Sequence, residues 1–337
     1  MKKSIIKSTG MFVPPNIITN HDLEKIIDTS DEWIQQRTGI EQRYWIDQDG
    51  ATGASDLGFE ASKIALKAAD WTAQDIDFII FATLSPDIMF PGSGCLLQAK
   101  LGLDSTPALD IRQQCTGFLY GLATADAYIK SGLANKILLV GGEVHSSGLD
   151  KTTRGRDITV IFGDGAGAVC IEGVETDEQA GVLSSALHAD GNLAEALMTE
   201  LPASRLPLRV PEGVPTDDAR YYPVMDGPLI FKKALRMLPK VINESLEKAH
   251  ISLDEIDLII PHQANIRINQ ALGQFLKLDD NKVFHNIQKY GNTTAASIPM
   301  ALHEAMEQNR IGASGDVVLF TGLGAGLTWG SVIYKFL

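Results

Sequence analysis

The stretch "DIDFII", residues 75–80, returns as "EIDLII" at residues 255–260. In both, an acidic residue, an isoleucine and an aspartate lead into a short apolar run, the pattern of a strand covered on both faces. A second pair behaves alike, since "KILLVGG" at 136–142 resembles "DVVLFTG" at 316–322. The displacements agree, 257 − 77 = 180 and 317 − 137 = 180, so the chain reads as two copies of one unit. Working outward, the first copy predicts the strand "IDFIIFATL", a helix over 93–101, the strand "PALDI", a helix over 116–131 and the strand "KILLVGG". The second answers with "IDLIIP", a helix over 265–276, "KVFHNI", a helix over 294–310 and "DVVLF". Such alternation predicts an α/β fold of largely parallel sheets covered by helices. The division falls as 1–174 and 175–337. Residues 199–226 hold five prolines and little periodicity, and read either as a long ordered excursion over a cleft or as a disordered surface loop.

At 45% hydrophobic and 21% charged residues, the 337-residue chain is globular, and about 150 residues per domain suggests two units. A formal net charge of −13 predicts no attraction to nucleic acid or to an anionic membrane surface. The basic start "MKKSIIKSTGMF" is interrupted by Lys7 before it reaches signal-peptide length, and no stretch approaches the roughly 18 apolar residues of a membrane span. Cys95, Cys115 and Cys170 show no C-x-x-C spacing, so neither a disulfide framework nor a metal site is expected. The expected location is the reducing cytoplasm.

In α/β sheets, chemistry collects where strands end. Cys115 lies just past one such end, His262 just past another and Asn292 beyond a third, which puts the nucleophile in the first half and the His and Asn in the second. Cys115 opens the apolar helix "TGFLYGLATADAYI", where unpaired N–H groups and the macrodipole are expected to lower its pKa. Cys170 and Cys95 read as packing residues. Asn292, in "YGNTTAAS", could equally be a helix N-cap. "GDGAGA" at 163–168 is followed by a strand and "TGLGAGLTWGS" from Thr321 lacks a P-loop lysine; both read as places of close backbone approach.

Taken in order, "TNHDLEKIIDTSDEWIQQRTGI", "QQCTGFLYGL", "IFGDGAGA", "PHQANIRI", "GNTTAAS" and "GAGLTWGS" resemble the thiolase-like condensing enzymes, most closely the 3-oxoacyl-acyl-carrier-protein synthase III family. The resemblance implies a duplicated α/β/α/β/α five-layer fold. It implies that Cys115 takes an acyl group from a coenzyme A thioester. His262 and Asn292 would then promote decarboxylation of malonyl-acyl-carrier protein and stabilise the enolate that attacks the acyl-cysteine. No cofactor or metal is implied. Backbone N–H groups of Cys115 and Ala325 would serve the acyl-transfer oxyanion. Trp33, Arg37 and Thr38 match positions that hold coenzyme A, although "TSDE" is also a helix-capping box. Asn265 and Arg267 match the pantetheine tunnel and carrier-protein face, Phe231 the pantetheine arm, and Phe162 a substrate contact. Phe90 matches a residue that crosses a homodimer interface to line the neighbour's acyl pocket.

Some positions depart from the common members. Gln113 and Gln114 stand where alanines are usual, Gly324-Ala325-Gly326 replaces three glycines, and Gln274-Phe275 replaces a lysine pair. The segments "TTRGRDITVIFGDG" and 199–226 are longer, which predicts a primer other than acetyl, such as a medium-chain acyl-CoA. Three other readings stay open: a same-fold acyltransferase to an alcohol or amine without condensation, a non-catalytic acyl-thioester-binding partner subunit, and a papain-like hydrolase, against which the absent local signature speaks.

Overall fold

The computed structural model describes residues 2–47 and 50–337. β1 (Lys2–Phe12) is followed by the hairpin β2 (Asn16–Thr19) and β3 (Gln42–Trp45), which encloses α1 (Asn20–Leu23) and α2 (Asp31–Thr38). Then come α3 (Ala54–Ala69), β4 (Phe78–Ala82), α4 (Ser93–Lys100), β5 (Ala108–Ile111), α5 (Gly117–Ser131), β6 (Lys136–Glu143), α6 (Arg156–Thr159) and β7 (Gly165–Glu175). The second half runs β8 (Gly181–Ala189), β9 (Leu197–Met198), β10 (Val224–Met225), α7 (Gly227–Ala249), β11 (Leu258–Pro261) and α8 (Ile266–Leu276). It closes with α9 (Ile287–Tyr290), α10 (Ser297–Glu307), β12 (Val317–Gly324) and β13 (Thr328–Lys335).

The two main sheets repeat one order, β1-β7-β6-β4-β5 in the first and β8-β13-β12-β11 in the second. In the first, β6, β4 and β5 run parallel and β7 and β1 are joined antiparallel; in the second, β11 and β12 run parallel and β13 and β8 are joined antiparallel. The shared aspartate of the two opening motifs has one task. Asp77 Oδ2 accepts from Asn135 and Lys136 N–H at 2.9 and 2.8 Å, and Asp257 Oδ2 from Val317 N–H at 2.7 Å, tying each strand to its parallel neighbour.

The equal offset needs a one-residue correction. Asp77 N–H bonds Lys136 O while Asp257 N–H bonds Val317 O, so the spatial offset of the second pair is 317 − 136 = 181. The additional residue lies ahead of β12. "KVFHNI" also falls short of a strand, pairing only through the bridge Ile259↔Val283. Past Phe284 the chain is drawn off the sheet, because Asn286 N–H bonds Gln263 Oε1 and its amide bonds Glu304. The helix expected from 294 opens with a 3-10 turn, Thr294–Ala296, before α10.

Three apolar clusters fill the gaps between layers. One joins α3 and α4 to the outer face of the first sheet, one surrounds α5 and α10 between the sheets, and one packs α7 and α8 on the second sheet. The result is the expected α/β/α/β/α sequence of layers. In the middle, Phe118 of α5 meets Phe320 of β12 edge-on at 5.7 Å, both fully buried, a contact whose truncation to alanine costs about 3–5 kcal/mol.

The excursion from 199 is stapled at its base by β9 and β10, with Leu197 opposite Met225. Arg154 holds its far part, donating to Asp217 O at 3.0 Å and lying 5.4 Å from the Tyr222 ring. Cys170 is buried as expected, whereas Cys95 is exposed on α4, on the face turned from the core.

Candidate active site

The duplicated unit builds two elbows. Gln114 and Thr294, 294 − 114 = 180 residues apart, both adopt left-handed backbone (φ 46° and 48°) and each starts a 3-10 turn into a buried central helix. Such geometry costs a β-branched residue on the order of 1 kcal/mol or more, and Asn292 Oδ1 holds it at Thr294 by accepting its N–H at 2.9 Å. Cys115 stands at the first elbow and Ala295 at the second. Only one copy carries sulfur; the other presses the Asn292–Thr294 turn against it.

Cys115 is 7% exposed. Its own N–H, the Ala325 N–H and the Thr294 hydroxyl all reach Sγ and favour the thiolate, yet burial, with the Glu143 carboxyl adding to it, pushes the pKa up to about 12. The expected lowering is therefore overturned. A helix end supplies about 0.3–1 kcal/mol, under one pKa unit, whereas burial can cost several units. Moreover α5 begins only at Gly117, so the sulfur precedes the helix proper.

His262 follows β11 directly, its N–H bonded to Thr321 O at 2.7 Å. Its Nδ1 meets Ser297 Oγ of α10 at 2.6 Å, while Nε2 is buried without a partner among the described residues. Burial, with His145 nearby, holds its pKa near 3, so the ring is neutral at ordinary pH. A hydroxyl at Nδ1 can donate or accept, so Ser297 supports either tautomer. Gly322 of β12 separates His262 from Cys115: a Cβ there would stand 3.1 Å from His262 Cβ and 3.6 Å from Cys115 O. Asn292 is 5% exposed, its backbone fixed by bonds to Ile161 and Gly163. With Oδ1 engaged by Thr294, its Nδ2 takes no partner among the described residues. Cys115, His262 and Asn292 thus share one buried region, as the sequence predicts.

The glycine-rich segments do serve close approach. A Cβ on Gly163 would stand 2.2 Å from Tyr290 O, and one on Gly324 2.7 Å from Cys115 Cβ. Between them Asp164, fully buried, accepts from the N–H groups of Ile46, His145 and Ser146.

The other predicted contacts gather at a rim. The Trp33 ring has the Arg37 guanidinium 4.6 Å and the Arg156 guanidinium 4.9 Å from its centre. Asn265 caps α8 and donates to Arg37 O at 2.8 Å, and Arg267 lies 5.6 Å from the Phe231 ring. Thr38 behaves differently: buried, its hydroxyl is committed to Ile34 O and Ile40 N–H, so it shapes the end of α2 instead of offering a ligand contact. Phe162 is buried against His145, ring centres 4.7 Å apart. Phe90 is 77% exposed at a loop tip with Ile88 and Met89. Phe275, where the lysine pair is replaced, is likewise exposed on α8.

Sequence reasoning missed Arg156, Glu143, His145 and Thr294. Arg156 lies in the segment noted for its length, but its partner Trp33 is 123 residues away. Glu143 is fully buried and accepts from the N–H groups of Leu84, Ser85 and Ala295 and the hydroxyls of Thr83 and Ser85, so it knots three loops together below the sulfur. A lone acidic residue ending the apolar strand "KILLVGGE" was the available signal.

Comparisons with known proteins agree with this geometry. Residues 109–191 match the family described as 3-Oxoacyl-[acyl-carrier-protein (ACP)] synthase III, and residues 246–336 match its C-terminal counterpart. A beta-ketoacyl-[acyl-carrier-protein] synthase III from Aquifex aeolicus (strain VF5) is 42% identical over 331 residues, covering 98% of this chain and 99% of the relative. The crystal structure of the 3-oxoacyl-[acyl-carrier-protein] synthase III from that organism superposes with a TM-score of 0.88 at 41% identity, over 100% of both chains. A priming beta-ketosynthase of a polyketide biosynthetic pathway superposes with a TM-score of 0.87 at 26% identity, over 99% of this chain and 96% of its own.

Proposed function

The chain belongs to the 3-oxoacyl-acyl-carrier-protein synthase III family, acyltransferases that condense an acyl-CoA primer with malonyl-acyl-carrier protein, and we propose that Cys115, His262 and Asn292 carry that reaction here. It serves fatty acid synthesis or a related specialised pathway. The observation that carries the assignment of roles is a buried thiol met by two backbone N–H groups, beside an imidazole whose Nε2 has no partner among the described residues.

At rest the thiol keeps its proton. Attack on the acyl-CoA carbonyl forms the S–C bond as His262 Nε2 takes that proton, with Ser297 donating to Nδ1 only when Nε2 is to be the donor. The Cys115 and Ala325 N–H groups, which stand at Sγ, receive the carbonyl oxygen, and coenzyme A leaves as its thiol with the proton that His262 took. In the second half-reaction malonyl thioester loses CO2, and the bonding pair moves to the thioester oxygen as an enolate. His262 Nε2–H and Asn292 Nδ2–H are the donors for that oxygen. Both are neutral, so neither holds the departing carboxylate. The enolate carbon then attacks the acyl-cysteine carbonyl, forming the C–C bond and releasing the Cys115 thiolate, which takes a proton from solvent.

Trp33, Arg37 and Arg156 suit the nucleotide end of coenzyme A, and Asn265, Arg267 and Phe231 the pantetheine arm and the carrier protein. The exposed tip Ile88, Met89 and Phe90 supports a homodimer in which Phe90 enters the partner's acyl pocket. No helix among the described residues is long and apolar enough to cross a membrane, which fits a cytoplasmic enzyme. The longer 199–226 segment supports a primer larger than acetyl.

The experiment is incubation with acyl-CoAs from acetyl to decanoyl, then with carboxyl-labelled malonyl-acyl-carrier protein. Mass increase on Cys115 followed by label release as CO2 is expected. Acyl transfer without CO2 release would leave an acyltransferase of another kind, and an unmodified Cys115 with every donor would leave a binding subunit.

A further inference from the structure

β6 ends at the fully buried Glu143, and two residues on the chain places a second imidazole beside the site. His145 is 8% exposed, its backbone N–H held by Asp164 Oδ1 at 2.7 Å and its ring set against Phe162. Its Nε2 meets Thr294 Oγ1 at 2.7 Å. That same hydroxyl reaches Cys115 Sγ. The Thr294 backbone is held left-handed, its N–H donating to Asn292 Oδ1 at 2.9 Å, and the bond to His145 fixes where its hydroxyl lies.

A hydroxyl has one proton to give. If Thr294 donates to His145, only its lone pairs face the sulfur, which is useless to an anion. If His145 donates from Nε2, the hydroxyl proton is free to point at Sγ. We propose that His145 is a positioning residue for the nucleophile, its Nε2–H fixing Thr294 Oγ1 as an acceptor so that the Thr294 proton becomes a third donor to the Cys115 thiolate. The arrangement suits a ring kept neutral by burial, since a neutral imidazole can donate from Nε2 without placing a cation beside His262. The charged group acting on the sulfur is Glu143 from β6, which opposes the thiolate; the His145 and His262 rings, near one another, are neutral, and Asp164 meets His145 through the backbone N–H while also accepting from Ile46 and Ser146.

The inference rests on Cys115 being the nucleophile, but its test does not need turnover. Below the thiol pKa, the alkylation rate of Cys115 by iodoacetamide is proportional to the thiolate fraction. At fixed pH between 7 and 9, His145→Leu and Thr294→Val are expected to slow alkylation about tenfold, a charge-assisted hydrogen bond being worth roughly one pKa unit. His145→Gln, whose amide can donate to Thr294, and Thr294→Ser are expected to restore at least half the wild-type rate. Decarboxylation of malonyl-acyl-carrier protein, which does not require a thiolate, separates loss of the chain from general distortion and in His145→Leu should change less than twofold. Wild-type alkylation in His145→Leu overturns the proposal, as does a His145→Gln rate as low as that of His145→Leu, which would mean packing against Phe162 alone matters. Failure of acyl-CoA to label wild-type Cys115 would instead remove the condensing assignment and leave the alkylation ratios interpretable.

Discussion

Gly324 lies so close to Cys115 that a Cβ placed on it would stand 2.7 Å from the Cys115 Cβ and 3.0 Å from its backbone nitrogen. That nitrogen is one of the donors directed at the sulfur. Gly324→Ala therefore displaces the elbow itself. Acylation of Cys115 by acyl-CoA is expected to fall more than 100-fold, with the folded state retained by circular dichroism, and near-normal acylation would contradict the packing.

Asn292 and His262 separate by step. Asn292→Ala should leave acyl-cysteine formation within a few-fold of wild type while condensation drops by roughly 10²–10³, the usual cost of one oxyanion donor. His262→Ala should slow both. Intact-protein mass spectrometry for the acyl-enzyme, beside CO2 release for condensation, makes the comparison.

Arg156 and Arg37 both lie within 5 Å of the Trp33 ring centre, at 4.9 and 4.6 Å. Arg156→Ala is expected to raise KM for acyl-CoA about five- to tenfold with little change in kcat. A pantetheine thioester lacking the nucleotide should show no such rise; an equal rise for both would move Arg156 out of nucleotide binding.

Burial holds His145 and His262 near 3, against an ordinary 6.5, and raises Glu143 to about 7, against an ordinary 4.5. Between pH 6.5 and 4.5, unfolding takes up two protons at the histidines and releases one from Glu143, a net uptake of one. Stability should fall with falling pH by about 1.4 kcal/mol per unit. His285 and His303, also lowered, act with the same sign. Glu143→Gln removes the opposing group and should steepen the acid-side loss, read from urea midpoints between pH 7 and 5. A flat or rising profile on acidification would contradict these environments.

Much of the fold was legible because it is written locally. The capped 3-10 turns before β4 and β11, closed by Thr72 with Asp75 and by Ser252 with Glu255, need only neighbours in sequence, and so does the apolar run that follows. "KVFHNI" misled because its apolar pattern suits a strand, while the groups that draw it off the sheet, Gln263 and Glu304, lie elsewhere in the chain. Cys115 and His262 were legible from their places after strand ends, whereas the strand that pointed to Asn292 does not form. Arg156, Glu143 and His145 were not, since the partners that define them stand on other segments.

By itself the sequence determined the duplication and the alternation of strands with helices, because strand periodicity and turn chemistry are short-range properties; the layer order and the joint role of Cys115, His262 and Asn292 were implied by family resemblance. Tertiary structure alone decided the state of the sulfur and its helpers. Desolvation depends on everything packed around a group, so a thiol whose pKa a helix end would lower slightly is instead kept protonated in the closed interior between two sheets.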